Sequence, residues 1–248
     1  MIISYLCSME WQIVRLGETD STNRWLREHG TGNMVAMADF QTAGRGCGTN
    51  SWESEPGMNL LFSVLLHPEH VPAADQFVLS MANALALHEV LSAYSSGMTI
   101  KWPNDLYWRD QKIGGTLIET TLVGSHIKDC IIGTGINVNQ TEFLSDAPNP
   151  VSLRQILGRE VMIDELLRQV VECISKWMQK VEEGSWHEVR TNYRRHLYRR
   201  GEQYDFRLAD SKVERCLLQD VTDDGHLQLL TSAGCVLRLG FKEVSFII

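Results

Sequence analysis

The chain has 248 residues, of which 44% are hydrophobic and 22% are charged, a composition typical of a globular protein with one large domain or a large and a small one. Its formal net charge of −8 argues against a general nucleic-acid-binding role, because neutralising phosphates requires clustered cations. No apolar run approaches the length of a membrane-spanning helix, and the N-terminus lacks the features of a signal peptide. The cysteines form no Cys-x-x-Cys pair, which predicts free thiols and a cytoplasmic location.

The first part of the chain alternates between strand and helix signals. A short strand at 11–16 is followed by a polar run that offers helix caps and by a helix that ends at Gly30. A strand at 34–40, a glycine-rich loop and a continuous apolar run at 59–66 come next, and the last is typical of a strand buried on both faces. Residues 72–94 carry apolar side chains at helical spacing and predict a long helix.

The most distinctive stretch is a predicted pair of strands that meet near Pro103. This proline cannot donate to a sheet ladder and restricts Trp102 to extended geometry, so one strand should end here and the next begin at a fixed angle. A turn then leads into a further strand, which brings Lys112 back toward Lys101 and Asp105. A surface hairpin does not need this concentration of cations, an indole and a carboxylate, so we predict a functional site here.

The rest of the chain is predicted to be helical before it changes to short strands. Two apolar strands joined by a turn lead to helices at 151–158, 164–183 and 185–198. The basic cluster at 190–200 is interpreted as a solvated face or a domain joint. From about Gly201 onward, five short strands are separated by glycine-containing turns. We therefore predict an α+β fold with domains at 1–198 and 199–248, of which the second is a small β-barrel.

The loop Gly44-Arg45-Gly46-Cys47-Gly48, with Trp52 after it, is a second functional candidate. Glycines at alternate positions let backbone N–H groups approach an anion, Arg45 adds a permanent cation, and Trp52 offers a flat face for stacking. No Gly-Lys-Ser/Thr follows and no helix opens here, so the loop is neither a P-loop nor a dinucleotide fingerprint. We interpret it as a phosphate-binding loop, with a mobile surface loop as the alternative.

Together these motifs resemble those of the biotin protein ligase family. The family pattern Lys-Trp-Pro-Asn-Asp matches 101–105, and Lys-x-x-Gly-Ile-Leu-x-Glu matches 112–119 with Thr116 in place of isoleucine. Ser-Thr-Asn matches 21–23, which alone would be interpreted as an ordinary helix cap, and Gly-x-Gly-Ile-Asn-x-Asn matches 133–139. In the glycine loop, Cys47 replaces the second arginine of the family pattern, and the loss of this cation should weaken the grip on phosphate.

The resemblance implies a fold and an activity. A central mixed sheet of the class II synthetase type, packed by helices, should be followed by a small Src-homology-type barrel. The implied enzyme uses ATP and Mg²⁺ to activate biotin as biotinyl-5'-AMP, and it then transfers biotin to a lysine of a biotin carboxyl carrier protein, such as a subunit of acetyl-CoA carboxylase or another biotin-dependent carboxylase. A lipoate or octanoate ligase or transferase of the same fold and a non-catalytic biotin sensor are the alternatives.

The same resemblance gives the motif residues expected roles. The expected catalytic residues are Lys112, Arg45 and Lys101. The expected biotin-binding residues are Ser21, Thr22, Asn23, Gln41, Arg45, Gly46, Cys47, Lys112, Gly114 and Gly115. The expected nucleotide-binding residues are Gly44, Arg45, Trp52, Asn104, Lys112 and Asn137, and Asp105 is the candidate magnesium ligand. Because the first predicted strand begins at residue 11, we expect the monofunctional type without a DNA-binding domain, and a homodimer is left open.

Overall fold

The computed structural model describes residues 9–48, 50–68, 70–144 and 149–248. The first elements are β1 (Gln12–Thr19), α1 (Thr22–His29), β2 (Met34–Gln41), β3 (Leu60–Leu66), α2 (Phe77–Tyr94), β4 (Met98–Lys101), β5 (Asp105–Trp108), β6 (Gln111–Val123) and β7 (His126–Ile136). They are followed by α3 (Leu153–Leu157), α4 (Ile163–Glu182), α5 (Trp186–Arg195), β8 (Gln203–Leu208), β9 (Val213–Val221), β10 (Leu227–Thr231), β11 (Val236–Leu239) and β12 (Val244–Phe246).

The strands β1 to β7 form a mixed sheet in the order β1-β2-β3-β7-β6-β5-β4. β1 and β2 pair in parallel, and the other neighbouring pairs are antiparallel. The turn between β5 and β6 lies where the sequence predicted it, with Arg109 at a positive φ of 53°. A central mixed sheet packed by helices confirms the predicted α+β class.

The two faces of this sheet carry different helices. Alternating residues of β2, β3 and β7 point to opposite sides, as a pleated strand requires. One face joins the main core with α2, α4 and α5. The other holds a smaller cluster around Leu26 of α1, with Met34, Ala36, Leu65 and Ile131. The polar residues at the start of α1 are therefore held against this second face.

Helix α2 lies in the middle of the main core, and every residue from 78 to 88 is buried. Together with the turn before it, this helix is long and apolar enough to cross a membrane by length and composition, but 72% of this apolar stretch is buried inside the protein. The prediction that no segment reaches this length was wrong for α2, whose burial is that of a core helix. His88 on this helix lies 3.0 Å from the Met98 carbonyl, and burial lowers its pKa to about 4.

The strands β8 to β12 form a second, antiparallel sheet in the order β11-β10-β9-β8-β12, which is consistent with the predicted small barrel. Its buried side chains belong to the same main core as α2 and α5. Arg190 and Arg194 of α5 reach Asp223, which follows β9, at 3.1 and 2.6 Å. Part of the basic cluster therefore contacts the C-terminal sheet, while the division of the chain at 198 and 199 stays a prediction.

Candidate active site

A cavity of about 520 Å³ lies where the two sheets meet. Its walls come from the start of α1, the glycine loop, the start of α2, the turn between β4 and β5, and the strands β6 and β7. Two turns of the C-terminal sheet complete it, at 224–226 and 240–241. The three motifs that are far apart in sequence, 21–23, 41–52 and 102–117, therefore share one cavity.

One part of the cavity is a network of uncharged hydrogen-bonding groups around Thr22. The backbone N–H and the hydroxyl of Thr22 both donate to Gln41 Oε1, at 2.8 and 3.1 Å. The Ser63 hydroxyl lies 2.6 Å from Thr22 Oγ1 and 2.6 Å from Asn23 Oδ1. Ser21 precedes α1 in extended geometry, and its side chain makes no capping hydrogen bond. The Ser-Thr-Asn motif thus faces the cavity instead of serving only as a helix cap.

Glu119 of β6 links this network to the glycine loop. Its carboxylate accepts a hydrogen bond from Asn23 Nδ2 at 2.8 Å and forms ion pairs with Arg27 at 2.8 Å and Arg45 at 3.1 Å. Burial alone would raise the pKa of Glu119, but the hydrogen bonds from Asn23 and Arg27 and the positive charges of Arg45 and Arg27 lower it overall. Arg45 is therefore held at the cavity by a charged carboxylate.

Lys112 and Asp105 form the charged part of the cavity. Lys112 Nζ donates to Asp105 Oδ2 at 2.8 Å, and both side chains are about three-quarters buried, with 25% and 23% exposed. The ammonium also lies 5.9 Å from the centre of the Trp52 ring. A Cβ on Gly115 would stand 2.9 Å from Asp105 Oδ1, so the glycine of this motif leaves room for the ion pair.

Two glycines of β7 let side chains lie directly on the sheet. A Cβ on Gly133 would be 2.1 Å from Asn23 Oδ1, and a Cβ on Gly135 would be 2.4 Å from the Trp52 indole. Because side chains alternate between the two faces of a strand, Gly133 and Gly135 both lie on the face that α1 covers. Within the described part of the chain, the buried Nε1 of Trp52 has no hydrogen-bond partner.

The motif tryptophan, Trp102, anchors the C-terminal sheet to the cavity. Its Nε1 donates to the Gly225 carbonyl at 2.9 Å, and the residue is 4% exposed. Gly225 has a φ of 92°, and a Cβ there would be 2.7 Å from the Phe77 ring, so only glycine fits.

The neighbouring Asp224 lines the cavity and pairs with His226 at 3.2 Å and with Arg238. Its hydrogen bond from Thr222 is the largest cause that lowers the pKa of Asp224 to about 2.

The cavity brings together most of the residues that the sequence predicted for the site. The predicted residues that line it are Ser21, Thr22, Asn23, Gln41, Arg45, Gly46, Cys47, Trp52, Asn104, Asp105, Lys112 and Gly115. Asn104 donates to Ser80 Oγ on α2 at 3.2 Å, which ties the β4–β5 turn to the core helix.

Four predicted residues lie outside the lining: Gly44, Lys101, Gly114 and Asn137. The Lys101 side chain extends toward the C-terminal sheet, where its ammonium is 4.8 Å from the centre of the Phe246 ring. Burial lowers the pKa of Lys101. Asn137 is 4% exposed and donates to the Val151 carbonyl at 3.2 Å, so its amide holds the loop after β7. Gly44 and Gly114 contact Trp52 and Gly135 respectively, and they shape neighbouring backbone.

Sequence reasoning missed three contributors to the site: Ser63, Glu119 and the turn at 224–226. Ser63 is a lone hydroxyl in a strand predicted to be buried on both faces, and a buried polar group of this kind signals a hydrogen-bond network. Glu119 ends a recognised motif but received no role. The turn at 224–226 was noted only as a turn, and nothing in its composition indicates that it reaches a distant cavity.

No group of three or more His, Cys, Asp or Glu side chains among the described residues is placed to hold a metal ion. Asp105 is therefore a lone candidate ligand, and one of its oxygens accepts from Lys112. Magnesium often binds through one or two carboxylates, with waters and phosphates completing the shell. The donor set fits a magnesium ion that a nucleotide brings with it, and it does not fit a cage built by the protein alone.

Comparison with known proteins relates this site to a family. Residues 16–137 match the model of the Biotin/lipoate A/B protein ligase family. The bifunctional ligase/repressor BirA of Escherichia coli is 36% identical over 124 residues, which are 48% of this chain and 38% of that protein. The biotin–[acetyl-CoA-carboxylase] ligase of Paracoccus denitrificans is 28% identical over 236 residues, which are 88% of this chain and 94% of that protein.

Solved structures extend the similarity to almost the whole chain. The biotin protein ligase from Aquifex aeolicus in complex with biotin and ATP superimposes with a TM-score of 0.80 at 28% identity, covering 94% of this chain and 97% of that chain. By contrast, the chain spans less than half the length of the BirA proteins that it matches, 45% for Bacillus spizizenii and 38% for Escherichia coli.

Proposed function

We propose that the chain is a ligase that activates biotin with ATP as biotinyl-5'-AMP and transfers the biotin to a lysine of a biotin carboxyl carrier protein. Its membership of the biotin/lipoate protein ligase family supports this proposal. The observation that carries this proposal is the cavity itself, which joins the network around Thr22 to the Lys112–Asp105 pair. Biotin has a neutral polar ring at one end and a carboxylate at the other, and the two parts of the cavity match these two ends.

The network around Thr22 is the proposed site for the ureido ring. This ring offers two N–H donors and a carbonyl acceptor, and the side chains of Ser21, Thr22, Asn23 and Gln41 supply hydroxyl and amide partners of both kinds. A buried polar group left without a partner costs about 1–3 kcal/mol. The cavity should therefore discriminate strongly against an acid whose ring cannot form these hydrogen bonds, such as lipoate.

Lys112 is the proposed catalytic cation. In the first step a biotin carboxylate oxygen attacks the α-phosphorus of ATP, and the bond from that phosphorus to pyrophosphate breaks. Both reactants are anions, so an ammonium between them lowers their repulsion and stabilises the developing charge. In the second step the amine of the carrier lysine attacks the activated carbonyl carbon, loses a proton, and AMP leaves with the electrons of the anhydride bond.

The glycine loop is the proposed nucleotide clamp. Trp52 supplies a flat surface for the adenosine, and the loop amides with Arg45 face the phosphates. Asp105 is the proposed contact for a magnesium ion carried by the nucleotide, and that ion would neutralise the departing pyrophosphate. We assign Lys101 and Asn137 no direct part, because the Lys101 ammonium lies 4.8 Å from the centre of the Phe246 ring and the Asn137 amide donates to the Val151 carbonyl.

Biotin-dependent exchange of labelled pyrophosphate into ATP tests the first step. The wild-type protein should catalyse exchange with biotin and not with lipoate at the same concentration. Lys112→Ala should lower the exchange rate at least about 100-fold, since removing a group that stabilises transition-state charge typically costs this much. Lys128→Ala, which removes an ammonium that is 63% exposed, is the matched control and should exchange at the wild-type rate.

A wild-type protein that shows no biotin-dependent exchange would contradict the proposed function. Exchange supported by lipoate and not by biotin would transfer the proposal to the lipoate branch of the family. Transfer of biotin to a purified carrier domain, followed by mass spectrometry of the modified lysine, tests the second step.

A further inference from the structure

The cations that line the cavity are paired with carboxylates before any ligand arrives. Arg45 pairs with Glu119 at 3.1 Å, and Lys112 pairs with Asp105 at 2.8 Å. Asp224 adds a further carboxylate to the lining. A nucleotide brings several negative charges. Because Cys47 stands where the family pattern has a second arginine, Arg45 is the one arginine in residues 44–48. The phosphates therefore need another cation close to this loop.

Lys242 stands at the required place. It lies in the turn between β11 and β12, beside the lining residues Gly240 and Phe241. Its ammonium reaches the glycine loop from the C-terminal sheet, where a Cβ on Gly48 would be 3.1 Å from Lys242 Nζ. Gly48 has a φ of 72°, so a side chain at this position would be strained as well as crowded.

The turn holds Lys242 without neutralising it. Glu243, the next residue, accepts a hydrogen bond from the Gly240 N–H at 2.6 Å. Among the ion pairs of the described residues, none involves Lys242. The backbone of Lys242 has a φ of 74°, a region that costs a residue with a side chain free energy and that is typical of functional positions. A lysine without an ion-pair partner among the described residues therefore lies next to the glycine loop.

We propose that Lys242 supplies the cation that the glycine loop lacks at Cys47, and that its ammonium binds a phosphate group of the nucleotide. The loop and the C-terminal sheet then close on the nucleotide from two sides, and the sheet takes part in holding ATP. This inference rests on the proposed function, because it specifies how the same cavity binds its nucleotide.

The variants Lys242→Gly and Lys242→Arg test this inference through the dissociation constant for ATP with magnesium, measured by calorimetry. Lys242→Gly should weaken ATP binding about tenfold, as expected for one charge-assisted hydrogen bond at a partly exposed site. Its melting temperature should not fall, because glycine adopts the backbone geometry of position 242 without strain. Lys242→Arg should bind ATP as the wild type does, and the affinity for adenosine, which has no phosphate, should be equal in all three proteins.

A second arm restores the cation on the loop. In the Lys242→Gly background, Cys47→Arg should recover most of the lost ATP affinity, whereas in the wild type it should change the affinity less than about threefold. Lys212→Ala, at an exposed turn of the same sheet, should bind ATP normally. Equal ATP affinity of the wild type and Lys242→Gly, or an equal loss for adenosine, would overturn the inference.

The outcome is separable from the test of the proposed function. A wild-type protein that binds ATP through Lys242 but shows no biotin-dependent exchange would overturn the proposed reaction and keep this inference. A protein that catalyses exchange and binds ATP equally well without Lys242 would keep the reaction and overturn this inference.

Discussion

Glu119 connects side chains from three separate parts of the chain. It lies on β6 and contacts Asn23 and Arg27 of α1 and Arg45 of the glycine loop. The Glu119 carboxylate has two cations and one amide as partners. Removing its charge would leave both guanidinium groups without this ion-pair partner. Glu119 is therefore a positioning residue that holds the glycine loop against the start of α1.

Glu119→Gln should destabilise the protein by about 1 kcal/mol at pH 7, because the Arg27 and Arg45 side chains are half exposed and solvent screens part of the loss. Glu28→Gln is the matched control, since Glu28 pairs with Arg24 on the exposed side of α1, and it should change the free energy of unfolding by less than about 0.5 kcal/mol. Urea denaturation measures both. A Glu119→Gln variant as stable as the wild type would contradict the positioning role.

The pKa of Glu119 gives this effect a pH dependence. The folded-state pKa lies below the ordinary value of 4.5, so the stabilisation is fully present above that value and is lost as the pH falls through the folded-state pKa. The stability difference between the wild type and Glu119→Gln should therefore be constant from about pH 7 to pH 5 and shrink below about pH 4. A difference that grows as the pH falls would contradict this sign.

At the scale of elements, the sequence predicted which segments are strands and helices better than which face each residue occupies. Apolar periodicity and turn residues located the strands of both sheets and the long helices within the part of the chain that the structure describes. The motif at 101–105 was predicted as one unit, and Lys101 and Asp105 do pair across β4 and β5. Their charged groups nevertheless make different contacts, because Lys101 lies over the Phe246 ring and Asp105 accepts from Lys112. Likewise, Asn137 follows a strand that lines the cavity, but its amide turns inward to Val151. Contacts between distant elements, such as that of Trp102 with Gly225, have no local signal in the amino-acid sequence.

The glycines of β7 allow an element-scale test. Gly133→Ala would place a Cβ 2.1 Å from Asn23 Oδ1, and Asn23 is itself buried and hydrogen-bonded to Ser63 and Glu119. We expect a loss of about 2 kcal/mol in stability and at least about tenfold weaker biotin binding, since Asn23 would be displaced. Calorimetric titration with biotin and thermal melting measure the two effects.

Gly17→Ala is the matched control for this strand glycine. Gly17 lies on the edge strand β1, and a Cβ there would have no atom within 4 Å. Alanine in this open position should leave biotin binding unchanged and shift the stability by less than about 0.5 kcal/mol. If Gly133→Ala behaved like Gly17→Ala, the close contact between α1 and β7 would not control the site.

At the scale of the whole molecule, the two sheets act on one cavity and share one core. Apolar side chains of β8, β9, β10 and β12 belong to the same buried cluster as α2 and α5. The Arg190 and Arg194 ion pairs with Asp223 add polar contacts at the edge of this interface. A shared core of this kind couples the unfolding of the two sheets, although the sequence alone predicts two domains.

We therefore predict that the chain unfolds in one cooperative transition. Hydrogen exchange of peptides from 12–66 reports on the first sheet, and hydrogen exchange of peptides from 203–246 reports on the C-terminal sheet. The two probes should give the same urea midpoint. Separate midpoints would show that the C-terminal sheet is an independent domain.

Trp102→Phe tests what holds the sheets together. It removes the hydrogen bond to the Gly225 carbonyl in a site that is 4% exposed, and the carbonyl loses its partner. We expect a loss of at least about 1 kcal/mol and weaker ATP binding, since the turn at 224–226 lines the cavity. Trp108→Phe removes a comparable hydrogen bond, to Ser96 at 3.0 Å on the exposed side of the hairpin, and should leave ATP binding unchanged. If both variants bound ATP alike, the motif tryptophan would serve the hairpin alone, and the C-terminal sheet would hold its position through the shared core.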